Sequence, residues 1–284
     1  MPMKYHGFAV LITCVFSWTY ASFAEELEMI NRPMNTTCLT GLMVTTTPFT
    51  LDTGMVEAGL VSISENSNKP DYILTEYDVC MAVGISRSME LAVRGSFLHL
   101  EDGLSIEERG IGDAEVSWKW NIIHQNENDA SPGVSLLLAG IAPTGIKQPD
   151  LGRVQNWGMR LGMSVGSEIS WEDHIIGIYA DGQVVLQDLS NVLKRDAYHI
   201  INAGILLPIS KYRNLQLILE YNIVSGRDVK TRADIMDHTA VTSGIRLVSE
   251  RFNLSIGMQL LNKEKTIPEI EDSTRIIGIV SIKL

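Results

Sequence analysis

Charged residues recur at alternate positions along the apolar segments of this 284-residue chain, and they are the groups best suited to bind or select other molecules. Alternation with a period of two is typical of a β-strand, whose successive side chains point to opposite faces. The charged side chains would therefore share the polar face of a sheet. They are Glu76, Asp78, Arg94, Asp113, Glu115, Lys119, Arg160, Glu220, Arg246, Arg275 and Lys283.

Two interpretations of this charged face remain open. Inside a barrel it could form a charged constriction that selects solutes. It could equally be a ladder of ion pairs that fills a narrow barrel interior. The residue pattern alone does not decide between them.

Motifs for nucleotide or metal chemistry are missing from the sequence. It contains no G-x-x-x-x-G-K-[ST] loop, no H-E-x-x-H and no C-x-x-C. We therefore expect no enzyme activity, no cofactor and no metal site. The alternative is a barrel esterase that uses a serine with one of the scattered histidines, which are His99, His124, His174, His199 and His238.

Composition and the first 24 residues indicate an exported, acidic protein. The net charge is −11, which makes nucleic acid an unsuitable partner. Residues 1–24 resemble a signal peptide, with Lys4, an apolar stretch over residues 7–18 and small residues before a predicted cleavage at Glu25. A retained membrane anchor is the alternative, but this stretch is shorter than the ~20 residues that span a bilayer.

After the leader, the chain divides into an N-terminal segment and a series of short strands. Residues 25–50 are threonine-rich, and we expect them to form a periplasmic segment outside the main sheet. Residues 51–284 then predict an all-β fold, an antiparallel transmembrane β-barrel of about twelve strands of the Gram-negative outer-membrane type. The predicted strands cover residues 54–65, 72–84, 89–100, 112–123, 133–142, 155–167, 173–186, 197–208, 213–225, 238–249, 252–261 and 273–284.

The connections between these strands support a barrel in the bacterial outer membrane. Those after the third, fifth, seventh, ninth and eleventh strands are long, whereas those after the second, eighth and tenth are tight, an asymmetry typical of outer-membrane barrels. We expect Tyr72, Trp157 and Tyr198 in an aromatic girdle at the outer interface. The expected partners are membrane lipid and lipopolysaccharide, the outer-membrane barrel assembly machinery and a small-molecule solute.

Two other classes compete with a channel. A soluble secreted β-sandwich is favoured by segments 175–178 and 200–207, which are apolar on both faces. An adhesin or structural barrel that works through its loops is favoured by the acidic segments 101–108 and 264–272.

Cys38 and Cys80 are the two cysteines outside the leader, and the sequence leaves their state open. An oxidising compartment permits a disulfide, but two free or buried thiols are the alternative. Cys80 falls on the inward parity of the second strand. A bridge would therefore tether the N-terminal segment inside the barrel mouth or lumen.

Short motifs suggest a family. At Gly110-Ile111-Gly112-Asp113, followed by Lys119, and at Ala142-Pro143-Thr144-Gly145, the sequence resembles the outer-membrane transporter family named for the meta-cleavage (MetA) pathway of phenol degradation. The resemblance covers roughly residues 48–284. It implies a barrel that passes small hydrophobic or aromatic compounds across the outer membrane. One departure is the C-terminal Leu284, because such barrels usually end on an aromatic residue.

Overall fold

The computed structural model describes residues 32–68, 71–102, 107–125, 131–145, 157–171, 174–186, 197–209, 214–227, 238–263 and 273–284. The predicted signal peptide, residues 1–24, lies outside these ranges and stays a prediction. Within the described ranges, no helix has the length and apolar character needed to cross a bilayer.

Twelve antiparallel strands follow one another around a closed barrel, and β1 pairs with β12 to complete the wall. The all-β barrel of twelve strands is therefore confirmed, and every strand overlaps its predicted segment. The largest difference is β4, which begins at Glu107 rather than at residue 112. The strands are β1 Val56–Asn68, β2 Asp71–Ser86, β3 Met89–Asp102, β4 Glu107–Ile123, β5 Gly133–Ala142, β6 Gly158–Trp171, β7 His174–Leu186, β8 Ala197–Pro208, β9 Leu215–Arg227, β10 His238–Val248, β11 Phe252–Lys263 and β12 Ser273–Lys283.

The two ends of the barrel differ. Tight turns such as the one between Ser86 and Met89 lie at the same end as the start of β1 and the end of β12, and we call this the short-turn end. The other end carries the long connections after β5, β7, β9 and β11, and we call it the long-loop end. The alternating connection lengths predict this arrangement, except after β3, where β4 begins at Glu107 and the predicted long connection is reduced to residues 103–106.

The wall is apolar outside and polar inside, the reverse of a soluble protein. Outward side chains such as Val79, which is 65% exposed, form the apolar surface, whereas Lys119 and Arg246 are fully buried within the barrel. A β-sandwich would bury its apolar faces against each other, so this arrangement excludes that alternative. An apolar outer surface around a closed hydrogen-bonded wall is what contact with lipid requires.

The two sequence motifs that carry the family resemblance bind each other at the long-loop end. A β-bulge shifts the register between β3 and β4 near Gly95. Beside it, Thr144 Oγ1 accepts a hydrogen bond from the Ala114 N–H at 2.8 Å and donates one to the Gly112 carbonyl at 3.1 Å. The Gly145 N–H donates to Asp113 Oδ1 at 3.3 Å. Asp113 thus fixes a turn between the two motifs.

The described part of the N-terminal segment, residues 32–51, lies inside the barrel, and we call it the plug. Most of its residues are buried. Its turns are held locally by antiparallel bridges between Met34 and Thr40 and between Gly41 and Thr46. The plug forms no strand of the barrel wall, as expected, but its location in the lumen corrects the expectation of a periplasmic segment. The physical reason is that the inner wall presents the charged partners that an irregular backbone needs.

Replacing Val79 with arginine tests the lipid-facing wall. Val79 lies near the middle of β2, where an outward arginine should make the free energy of folding into vesicles less favourable by about 2–4 kcal/mol. Urea titration of vesicle-inserted protein measures the change. The control is Ile209→Arg, since Ile209 is outward but lies beyond the end of β8, where the cost should be about 0–1 kcal/mol. Equal costs at both sites would contradict a transmembrane orientation.

Candidate functional site

Carboxylates of the inner wall bind the backbone of the plug. Glu90 Oε1 accepts from the Thr40 N–H at 2.7 Å, and Glu220 Oε1 accepts from the Thr45 N–H at 2.7 Å. Asp181 Oδ2 accepts from the next N–H, that of Thr46, at 2.8 Å. An irregular segment inside a closed barrel has no strand beside it, so its buried N–H groups need other acceptors. These carboxylates supply them.

Cations of the same wall bind the plug carbonyls. Lys119 Nζ donates to the Thr40 carbonyl at 3.2 Å and forms an ion pair with Glu90 at 3.0 Å. Arg246 donates to the carbonyls of Gly41, at 3.0 Å, and Leu42. The predicted lumen residues Lys119, Glu220 and Arg246 are therefore inward as expected, and in this structure they hold the plug.

Apolar plug side chains enter recesses that glycines leave in the wall. Met43 sits against Gly244 and Gly257, which face each other across β10 and β11. Leu42 sits against Gly204, where an added Cβ would lie 2.5 Å from Leu42 Cδ1. A larger residue at these wall positions would force the Met43 or Leu42 side chain to move, because protein interiors have little free volume.

A disulfide joins the plug to the wall. Cys38 and Cys80 are bonded, with their Cα atoms 5.5 Å apart, a separation that a disulfide spans without backbone movement. Cys38 has φ +63°, a backbone conformation that costs a non-glycine residue about 1–2 kcal/mol. The bond fixes the end of the Asn35–Cys38 turn, in which the Cys38 N–H donates to the Asn35 carbonyl at 3.0 Å.

Arg32 fixes the beginning of the plug at the short-turn end. Its guanidinium forms an ion pair with Glu168 and lies 3.7 Å from the centroid of the Phe49 ring. The Tyr179 hydroxyl donates to the same glutamate at 2.8 Å. Burial lowers the pKa of Arg32 to about 10, which still leaves the guanidinium charged at neutral pH.

A second charged cluster lies on the long-loop side of the plug. Glu115 binds two guanidiniums, that of Arg94 at 3.2 Å through Oε2 and that of Arg160 through Oε1. Asp78 lies 3.6 Å from Arg94. Arg94, Glu115 and Arg160 line a cavity of about 250 Å³, together with plug residues and Tyr198. The structure thus brings these four predicted residues together.

The remaining predicted residues lie elsewhere on the inner face. Arg275 Nε donates to Glu65 at 2.7 Å, and the Tyr72 hydroxyl donates to the same carboxylate at 2.8 Å. Glu76 acts electrostatically on Asp78 and Arg94, and Lys283 interacts with Glu57. Tyr72 and Tyr198 therefore face the lumen, so their placement in an outer aromatic girdle is wrong.

Several wall carboxylates were missed at the sequence level, namely Glu57, Glu65, Glu90, Glu168 and Asp181. Strand parity could have found Glu90, since it shares the inward face of β3 with Arg94. Asp181 had no such signal, because β7 has apolar residues on both faces and its inward side cannot be recognised from alternation.

The sequence also contains a match to one catalytic motif. Residues 162–166 read Gly-Met-Ser-Val-Gly, a match to G-x-S-x-G. They lie within β6 rather than in a strand-to-helix turn, and Ser164 is fully buried with no hydrogen-bond partner among the described residues. This context does not support a nucleophile. Nor do the described residues contain a group of three or more His, Cys, Asp or Glu side chains placed to hold a metal ion.

Solved outer-membrane proteins have a similar architecture. A channel from Pseudomonas putida F1 matches with a TM-score of 0.65 and 10% identity, over 83% of this chain and 97% of that chain. The chain has the fold of an outer-membrane barrel. NanC porin matches at TM-score 0.52 and 11% identity over 79% of this chain and all of that chain, and KdgM porin at 0.50 and 8% over 79% and 98%. At such identities the likeness shows the fold alone.

No family model matches the sequence, and no curated protein matches it. The resemblance to the MetA-pathway transporter family therefore stays a prediction.

Replacing Glu90 with glutamine tests the attachment of the plug. The change leaves Lys119 buried without its counter-charge, which should cost about 3–5 kcal/mol of the free energy of unfolding. Lys119→Met in the same chain should recover part of this loss, since it removes the unpaired charge. Urea unfolding monitored by circular dichroism measures both. Glu101→Gln, at a carboxylate that is exposed, is the control and should change the free energy by less than about 0.5 kcal/mol.

The disulfide predicts a distinct pattern of thiol reactivity. Iodoacetamide should leave Cys38 and Cys80 unmodified in the unfolded protein until a reductant is added, as read by mass spectrometry. The bridge spans 42 residues, so Cys38→Ser and Cys80→Ser should each lower the free energy of unfolding by about 3–4 kcal/mol, and the double variant by no more. Alkylation of both cysteines without reductant would show that the native protein lacks the bond.

Proposed function

We propose that this protein is an outer-membrane channel for the passive passage of small molecules, with the plug as the barrier that limits passage. One observation carries the proposal. The plug fills the short-turn half of the lumen. A cavity of about 250 Å³ lies on its long-loop side, where the plug residues Thr36, Thr37 and Val44 line it. A solute that enters from the long-loop end would reach the cavity and then meet the plug. No step of this passage requires covalent chemistry.

The architecture of similar proteins supports a transport role in the outer membrane. The Pseudomonas putida protein is described as an outer membrane channel, and NanC and KdgM are described as porins. The resemblance of the Gly110–Asp113 and Pro143–Gly145 motifs to the MetA-pathway family extends the proposal to hydrophobic or aromatic solutes. The cavity is consistent in size, since about 150 Å³ accommodates benzene in a protein interior.

A structural barrel without transport is the second candidate, and the plug itself favours it. Hydrogen bonds, ion pairs and a disulfide hold the plug on several sides, as a permanent closure would require. The two candidates differ in whether the folded protein makes vesicles permeable.

Liposome swelling with a small neutral solute separates these candidates. Wild-type protein should raise permeability slightly above that of protein-free vesicles. The Cys38→Ser, Glu90→Gln double variant should raise it severalfold further, because it releases the plug from β2 and β3 together. Cys38→Ser, Glu101→Gln is the matched control, since it leaves the Glu90 attachment intact. Folded barrels, identified by heat-modifiable migration on gels, that leave vesicles impermeable in both forms would support the structural barrel.

A further inference from the structure

The cavity beside the plug combines cationic and apolar walls. Arg94 on β3 and Arg160 on β6 provide the cations, while Ile141, Val185 and Ile200 on β5, β7 and β8 provide apolar surface. Strand pairing sets this order, because Ile141 lies opposite Glu115 across β4 and β5, and Val185 lies opposite Arg160 across β6 and β7. A ligand in this cavity would therefore contact both kinds of surface at once.

Within the described part of the chain, the two guanidiniums have N–H donors that Glu115 does not use. Each guanidinium carries five N–H groups, and Glu115 accepts from one nitrogen of each. Asp78 lies 3.6 Å from Arg94 Nη1, beyond hydrogen-bond distance. Arg94 Nε has no hydrogen-bond partner among the described residues. The partly exposed guanidinium nitrogens that Glu115 does not occupy can instead donate to a ligand that brings an acceptor.

Exposure determines which charge a ligand meets. The side chains of Arg94 and Arg160 are 24% and 11% exposed, whereas those of Glu115 and Asp78 are 2% and 0% exposed. The carboxylates are therefore buried behind the guanidiniums and offset their charge. A ligand in the cavity therefore meets more guanidinium surface than carboxylate surface, and a planar carboxylate is the group that matches a guanidinium best.

We propose that this cavity binds a small monocarboxylate with an aromatic or short aliphatic body. The carboxylate would accept hydrogen bonds from Arg94 and Arg160, and the body would lie against Ile141, Val185 and Ile200. This inference rests on the proposed function, because it names the class of solute that the channel holds beside its plug.

Equilibrium dialysis of the full-length protein in a non-ionic detergent at neutral pH tests the ligand class. The probes are benzoate, benzamide and benzylamine, which share a ring and differ in the group that would meet the guanidiniums. Benzoate should bind at least about tenfold more tightly than benzamide, as one charge-assisted hydrogen bond provides. Benzylamine should bind more weakly than both. Equal binding of benzoate and benzamide, or preference for benzylamine, would overturn the proposal.

Arg160→Gln should lower benzoate affinity by about tenfold or more while changing benzamide affinity little. The matched control is Arg275→Gln, because Arg275 is also a lumen arginine bound to a glutamate but does not line the cavity. It should change benzoate affinity by less than about twofold. Equal losses in the two variants would indicate a general charge effect and contradict the site. If Arg160→Gln does not fold, Ile200→Trp, which fills the apolar side, should abolish binding of both benzoate and benzamide, and retained benzoate binding would reject the site.

Vesicle permeability keeps this inference separate from the proposed function. Permeability to a neutral solute without preferential benzoate binding would leave the channel standing and reject the carboxylate site. Selective benzoate binding that Arg160→Gln weakens, in vesicles that stay impermeable to solutes, would support the site and reject passive passage.

Discussion

Hydrogen bonds from plug N–H groups to buried carboxylates are the interactions on which the interior of this barrel depends. A closed sheet satisfies every strand by pairing, but it offers no backbone partner to a segment inside it. Glu90, Asp181 and Glu220 replace that missing strand with side-chain oxygens. The arrangement is reciprocal, because the same contacts relieve the cost of burying the carboxylates themselves.

The remaining features of the lumen follow from this attachment. Lys119 forms an ion pair with Glu90, and both Lys119 and Arg246 bind plug carbonyls. The Cys38–Cys80 bond and the glycine recesses around Leu42 and Met43 then fix the position of the plug. With the short-turn half filled, open space is left beside the Arg94–Glu115–Arg160 cluster. The plug-binding charges and the proposed solute-binding cavity thus occupy two successive levels of one lumen.

The outer surface obeys a simpler constraint. Contact with lipid asks only that outward side chains be apolar and that the backbone be fully paired. Neither condition involves the plug. Different physical requirements therefore act on the outer surface and on the lumen. The apolar exterior does not indicate what the lumen contains.

Strand alternation by itself determined the fold class, the twelve strands and the inward direction of residues such as Lys119 and Cys80. It could do so because a period of two assigns each side chain to a face without reference to any distant residue. Where alternation is hidden, as in the apolar β7 that carries Asp181, the inward face could not be assigned.

Only the tertiary structure decided which charges meet, and that residues 32–51 occupy the lumen. The Glu220 and Arg246 contacts to the plug join residues some 175 and 205 positions apart, and no local pattern encodes such a pairing. A threonine-rich, irregular segment is compatible with solvent and with a polar interior, because water or protein side chains can accept the hydrogen bonds of its backbone N–H groups. The closed barrel holds those acceptors at fixed positions, and residues 32–51 therefore bind inside it.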